Sequence, residues 1–269
     1  MMTIEQWLDA FDKSATHLGA MAEKSVSDWK PETVSDPMAL HNMYARALVD
    51  AYAAKFSQLS RAVVTAVRGE QYLVYALAGR SLIETAATLR FYVEKEYKCL
   101  MDLGRLGGKE MRALIAIDDR HLRGGRFDWV SFSAGLYDEM ATEAVRELAS
   151  KKQKAVPRYV PPNLVAEQRN VYTCVEHWAR EQPRVLVVYN LFCELVHPNV
   201  GSSFLVAYKH QGQVSFGRRL GDSIGATVMK QSLPLLGAAA IKPFGLALDK
   251  LMATIWGADE LGSKPPVTH

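Results

Sequence analysis

Cysteine is scarce in this chain: 269 residues contain three, Cys99, Cys174 and Cys193. They are odd in number, widely spaced and set in apolar, helix-like surroundings, which argues against a disulfide-stapled scaffold and makes a reduced, cytoplasmic compartment the expectation. None stands at metal-ligand spacing. An excess of one charge is also missing, since 32 Lys and Arg against 29 Asp and Glu leave +3. That balance is too mild to announce nucleic acid by itself, though a local basic patch is compatible with it. Long hydrophobic runs are lacking too. The stretch from Leu233 to Trp256 is apolar, but Lys242, Pro243, Asp249 and Lys250 interrupt it short of the ~20 residues a membrane helix needs, so no membrane is expected. Met1 to Leu8 lack the basic and apolar regions of an export signal. There is no internal repeat, Walker sequence or dinucleotide-binding glycine pattern.

What the chain does have is enough apolar residue, 49% against 23% charged, to bury a sizeable core. No linker divides it into separately patterned halves, so residues 1–269 are read as one domain. Its fold class is all-α for the most part, a helical bundle with a small two-stranded β-hairpin near the C-terminal third. Helical spacing of Trp7, Leu8, Phe11 and Leu18 gives an opening helix over 3–26, and Pro31 and Pro37 mark the loop after it. The core spans 38–200. Long helices are expected at 38–68 and 70–103, broken near Arg68 and Gly69, the second apolar on nearly every side and therefore central. Shorter ones follow at 109–119, 134–152, 163–181 and 183–197, with Pro183 acceptable as a first helical residue. Two strands flanking Gln211-Gly212-Gln213 give a hairpin at about 203–217. A C-terminal helical segment over 221–256 is expected to kink or split at Pro234 and Pro243.

The most informative stretch runs from Tyr189 to Ser202. At ~100° per residue, Asn190, Glu194 and His197 fall within roughly 60° of one another on an otherwise apolar helix. Pro198 closes the helix and leaves His197 in its last turn, where the negative end of the helix dipole favours the protonated imidazole. Two readings stand. His197 is either a structural C-cap paired with Glu194, or an acid/base or phosphate-contacting group.

A second constellation is Arg80 and Glu84, four apart on the central helix. With little polar surface around them, they are expected to be buried and to need partners, for which Glu194 and His197 are candidates. The pair either fixes helix register or leaves Arg80 as an anion clamp. A third is Arg120, His121, Arg123 and Arg126 around Gly124-Gly125, with Phe127 and Trp129 following. It is either a solvated loop or a phosphate and nucleic-acid contact.

The combination of Arg80-Ser81-Leu82-Ile83-Glu84, Tyr189 and Cys193-Glu194-Leu195-Val196-His197-Pro198-Asn199 resembles uncharacterised bacterial proteins allied to the HEPN superfamily of helical bundles, over roughly residues 40 to 210. Many HEPN proteins are ribonucleases of toxin and phage-defence systems, and such bundles often form homodimers. The resemblance implies a metal-independent endoribonuclease without cofactor, acting on RNA or a nucleotide. His197 would be its acid or base, Arg80 would stabilise phosphate charge, and Glu84, Glu194 and Asn190 would stand around them. The family's arginine precedes its histidine by four to six residues on one helix. Here those positions hold Asn190, Leu191 and Phe192, so Arg80 would have to supply the charge from the neighbouring helix. Two alternatives accompany this reading. One is a non-catalytic helical scaffold that binds a partner protein or nucleotide and uses Arg80, Glu84 and His197 as a polar network. The other is a carboxylate-bridged metal site built from Glu194-x-x-His197, Asp118-x-x-His121 and Glu84.

Overall fold

The computed structural model describes residues 2–23, 35–97, 170–197, 207–210, 213–216 and 224–255. These are mainly helical. The expected helices at 109–119 and 134–152 lie outside them. In chain order the elements are α1 (Ile4–Glu23), α2 (Pro37–Arg68), α3 (Tyr72–Phe91) with a π-helical turn (Tyr92–Tyr97), α4 (Val171–Ala179), α5 (Pro183–Val196), β1 (Ala207–His210), β2 (Gln213–Phe216) and α6 (Ile224–Met252).

The chain forms two compact units. The first comprises Met1–Val26, Asp50–Lys98 and Gln168–Leu248; the second comprises Ser27–Val49, Cys99–Glu167 and Asp249–His269. Within the second, α2 begins at an Asp36 cap, whose carboxylate accepts the Ala39 N–H at 2.9 Å.

The first unit is a helical bundle. Its α1 starts in a capping box: Gln6 Oε1 accepts the Thr3 N–H at 2.8 Å and Thr3 Oγ1 accepts the Gln6 N–H at 3.2 Å. Leu8, Phe11, Ala15 and Leu18 then recur on one face and are buried. Two close approaches hold this helix. Ser57 of α2 donates to the Ala15 carbonyl at 2.6 Å, and the Trp7 ring occupies the space where a side chain at Gly237 of α6 would stand.

Helix α2 ends in a Schellman arrangement, in which Gln71 N–H reaches the Ala66 carbonyl at 2.8 Å and Glu70 N–H the Val67 carbonyl at 3.3 Å. The left-handed residue this requires is Glu70, with φ of 52°, rather than the adjacent Gly69. Helix α3 buries twelve of its twenty residues and packs against α4 and α5. Gly79 permits the contact with α5, for an added Cβ would stand 2.6 Å from Phe192 Cε2 and 3.2 Å from Leu236 Cδ2. Tyr75 meets the Phe192 ring edge-on at 5.5 Å and bonds Ser232 of α6 at 2.9 Å. Burial pushes the Tyr75 phenol well above its ordinary range.

Helix α3 does not continue as a plain α-helix towards 103; it widens into the π-turn after Phe91. Helix α6 runs through Pro234 and Pro243 without being split. Phe244 of α6 stacks on Phe56 of α2 at 3.9 Å, so the second proline precedes a ring anchored in the core. Strands β1 and β2 pair antiparallel, Ala207 opposite Phe216 and His210 opposite Gln213. Among the described residues, no helix is long and apolar enough to cross a membrane.

Candidate functional site on helices α3 and α5

Contacts along α3 and α5 establish their relative direction. Tyr75 and Gly79 meet Phe192, whereas Glu84 meets Tyr189. The two helices are therefore antiparallel, and α4 follows α3 in the same sense, with Trp178 reaching Arg90.

At the middle of this packing Arg80 Nε donates to Glu84 Oε1 at 2.8 Å. The Tyr189 hydroxyl donates to the same oxygen at 3.1 Å, and the Arg80 guanidinium carbon lies 5.8 Å from the centre of the Tyr189 ring. The site is only partly sheltered, with the side chains of Arg80 and Glu84 33% and 26% exposed. The hydrogen bond to Glu84 raises the Arg80 pKa, Glu84's charge adds to the effect, and burial opposes it. Burial also pushes the Tyr189 phenol far up, helped by the Glu84 charge and by Cys193 beside the hydroxyl. At neutral pH Tyr189 is thus a hydrogen-bond donor and not an anion.

The remaining residues expected at this site lie elsewhere on α5. His197 is the C-cap, with φ −66° and ψ 142°, and its N–H bonds the Cys193 carbonyl at 3.1 Å. The extended backbone is what a following proline imposes. Its imidazole is exposed and makes no hydrogen bond to a described residue, nor does it pair with Glu194. Asn190 and Glu194 are exposed on the outer side. The polar group that forms is therefore Arg80, Glu84 and Tyr189, with Cys193 alongside, in place of the expected Arg80, Glu84 and His197. The reason is angular: Tyr189 and Cys193 face α3, while Asn190, Glu194 and His197 are rotated away from it. Arg120, Arg123 and Arg126, together with Asp118 and His121, lie outside the described residues. Among the described residues no three His, Cys, Asp or Glu side chains converge as a metal site would require.

Sequence reasoning did not single out a second charged cluster at the end of α3. Arg90 Nη2 donates to both Glu94 oxygens at 3.0 Å and to Glu181 at 2.7 Å, and its guanidinium lies over the Trp178 ring at 5.2 Å. Arg90 is only 12% exposed. Burial alone would depress its pKa, but the bonds to Glu94 and Glu181 outweigh that and raise it. The i,i+4 spacing of Arg90 and Glu94 is legible in the sequence; Glu181, beyond α4, is not. Beside this cluster His177 meets the Phe91 ring edge-on at 5.3 Å. Burial first, then Lys95 and Arg180, lowers its pKa against the opposing pull of Glu94 and Glu181.

No family model, curated protein or solved structure matches this chain.

Proposed function

We propose that this is a non-catalytic helical binding protein, in which Arg80, Glu84 and Tyr189 lock α3 to α5. The observation that carries the reading is the 2.8 Å pair between Arg80 and Glu84. A carboxylate on the guanidinium neutralises the charge that a phosphate would need, and Tyr189 holds that carboxylate in place. The surface next to it also suits a partner protein. Leu73, Val74 and Leu77 on α3 are each more than 40% exposed, and Leu73 and Leu77 share a stripe with Arg80 and Glu84. Exposed apolar groups gathered beside a polar rim are the composition of a protein-binding surface. The test pairs two assays. Purified protein incubated with single-stranded RNA leaves it intact with or without EDTA, and Glu84→Gln changes stability without creating cleavage.

One observation favours a second reading, a metal-independent ribonuclease of the HEPN kind. Because α5 is antiparallel to α3, His197 follows one turn after Cys193 in the direction of the Arg80 end of α3, with its imidazole exposed and turned away from that helix. In this reading the imidazole would turn towards Arg80, so that an acid/base histidine and a phosphate-stabilising arginine act together on a 2'-hydroxyl and its phosphate. EDTA-resistant cleavage abolished by His197→Ala, in a protein that keeps its helical spectrum, supports this reading over the first.

A further inference from the structure

An open groove of about 260 Å³ runs between α5 and α6, bordered by Val187 and Leu191 on one side and by Val228 and Leu235 on the other. Val187 is 66% exposed, and the other three are partly so. Helix α5 is apolar nearly all round, a composition that calls for cover on every side, yet this face has none among the described residues. Arg184 in the first turn and Glu194 in the last stand at the two ends of the apolar pair. Both are exposed, and neither forms an ion pair with a described residue.

Arg184, Val187, Leu191 and Glu194 are spaced three, four and three apart and fall within roughly 80° on the helix surface. The order along the face is cation, apolar, apolar, anion. It opposes the α5 dipole, since the cation stands at the positive N-terminal end and the anion at the negative C-terminal end. An ordinary helix carries the opposite order, with acidic residues in its first turn and basic residues in its last. Laid parallel to α5, such a helix matches both charges at once. Its acidic end meets Arg184 and the positive ends of two helices, and its basic end meets Glu194 and two negative ends.

We propose that the groove between α5 and α6 receives an amphipathic helix of another protein, lying parallel to α5, with an acidic first turn, an apolar stripe and a basic last turn. A single protruding helix is the shape that fills a groove between two others, with apolar anchors at three- and four-residue spacing. A second copy of this chain presents α5 already flanked by its own α6, the same concavity rather than a ridge. The surface is separate from the Leu73, Val74 and Leu77 stripe on α3. Tyr189 projects from the opposite side of α5, so the Arg80–Glu84 network stays outside the contact. The inference therefore stands independently of either functional reading.

Fluorescence anisotropy of designed peptides with the full chain at micromolar concentration tests it. Three capped peptides matching the 14 residues of α5 in length share one leucine stripe. The first has glutamates in its first turn and lysines in its last, the second has glutamates in both, and the third has lysines in both. The first binds at least ~10-fold more tightly than either of the others. Arg184→Glu transfers the preference to the peptide with lysines at both ends, and Val187→Asp abolishes binding with an unchanged far-UV spectrum. A photo-crosslinker on the N-terminus of the first peptide labels the turn of Arg184. Failure of the first peptide to bind overturns the proposal, as does equal binding of all three. Labelling at Glu194 overturns it too, and so does a chain that pairs with itself through Val187 and excludes the peptide.

Discussion

The Tyr189 hydroxyl and Arg80 Nε converge on a single oxygen of Glu84, at 3.1 and 2.8 Å. One carboxylate oxygen thereby fixes the charge on α3 and binds α3 to α5.

Tyr189→Phe removes only the interhelical bond and is expected to cost about 1 kcal/mol in urea unfolding. Glu84→Ala removes both bonds and should cost about 1–2 kcal/mol, less than the ~3 kcal/mol or more of a sealed pair, because water reaches the exposed part of Arg80. The double variant should show non-additivity of at least ~0.5 kcal/mol, the mark of a shared acceptor. Strict additivity would mean that the two bonds are independent.

Gly79→Ala is expected to destabilise by about 1–3 kcal/mol, although glycine to alanine inside a helix ordinarily stabilises. The new Cβ would stand 2.6 Å from Phe192 Cε2. Phe192→Leu in the same background should recover part of the loss, which thermal melts of the single and double variants would reveal.

Glu70→Gly should do the reverse and stabilise by about 1 kcal/mol, since it relieves a side chain at φ of 52°. An unchanged or lower unfolding midpoint in urea would show that the Glu70 side chain contributes more than its backbone costs.

His177 predicts a pH dependence with a definite sign. Its folded pKa lies below the ordinary 6.5, chiefly through burial, so the fold favours the neutral ring. That contribution is fully present above pH 6.5 and is lost as the pH falls from there towards the depressed folded value. His177→Gln should flatten this part of the stability profile, measured by urea unfolding between pH 7.5 and pH 5 and compared with wild type. An identical slope in the variant would place the titration elsewhere.

The helices were legible where periodicity was strong. The apolar face of α1 and the density of apolar residues in α3 follow from spacing alone, as does the start of α5 at Pro183. The π-turn was not legible, because Tyr92–Tyr97 carries the same apolar pattern whether four or five residues span the hydrogen bond. At the site, the contact between Arg80 and Glu84 was readable as an i,i+4 pair. Its third member was not, since choosing Tyr189 over His197 depends on how α5 is rotated about its axis, which a near-uniformly apolar helix does not specify. Arg90 was missed because its partner Glu181 is far away in sequence, and only the return of the chain through α4 brings it near.

The most direct test of the account is cleavage of a labelled single-stranded RNA by the purified full chain in EDTA, run beside its His197→Ala and Glu84→Gln variants. If Arg80 belongs to a structural lock, all three proteins leave the RNA intact while Glu84→Gln melts at a lower temperature than wild type. EDTA-resistant cleavage by the wild type, abolished by His197→Ala in a protein of unchanged helicity, would contradict that account and assign the site to catalysis.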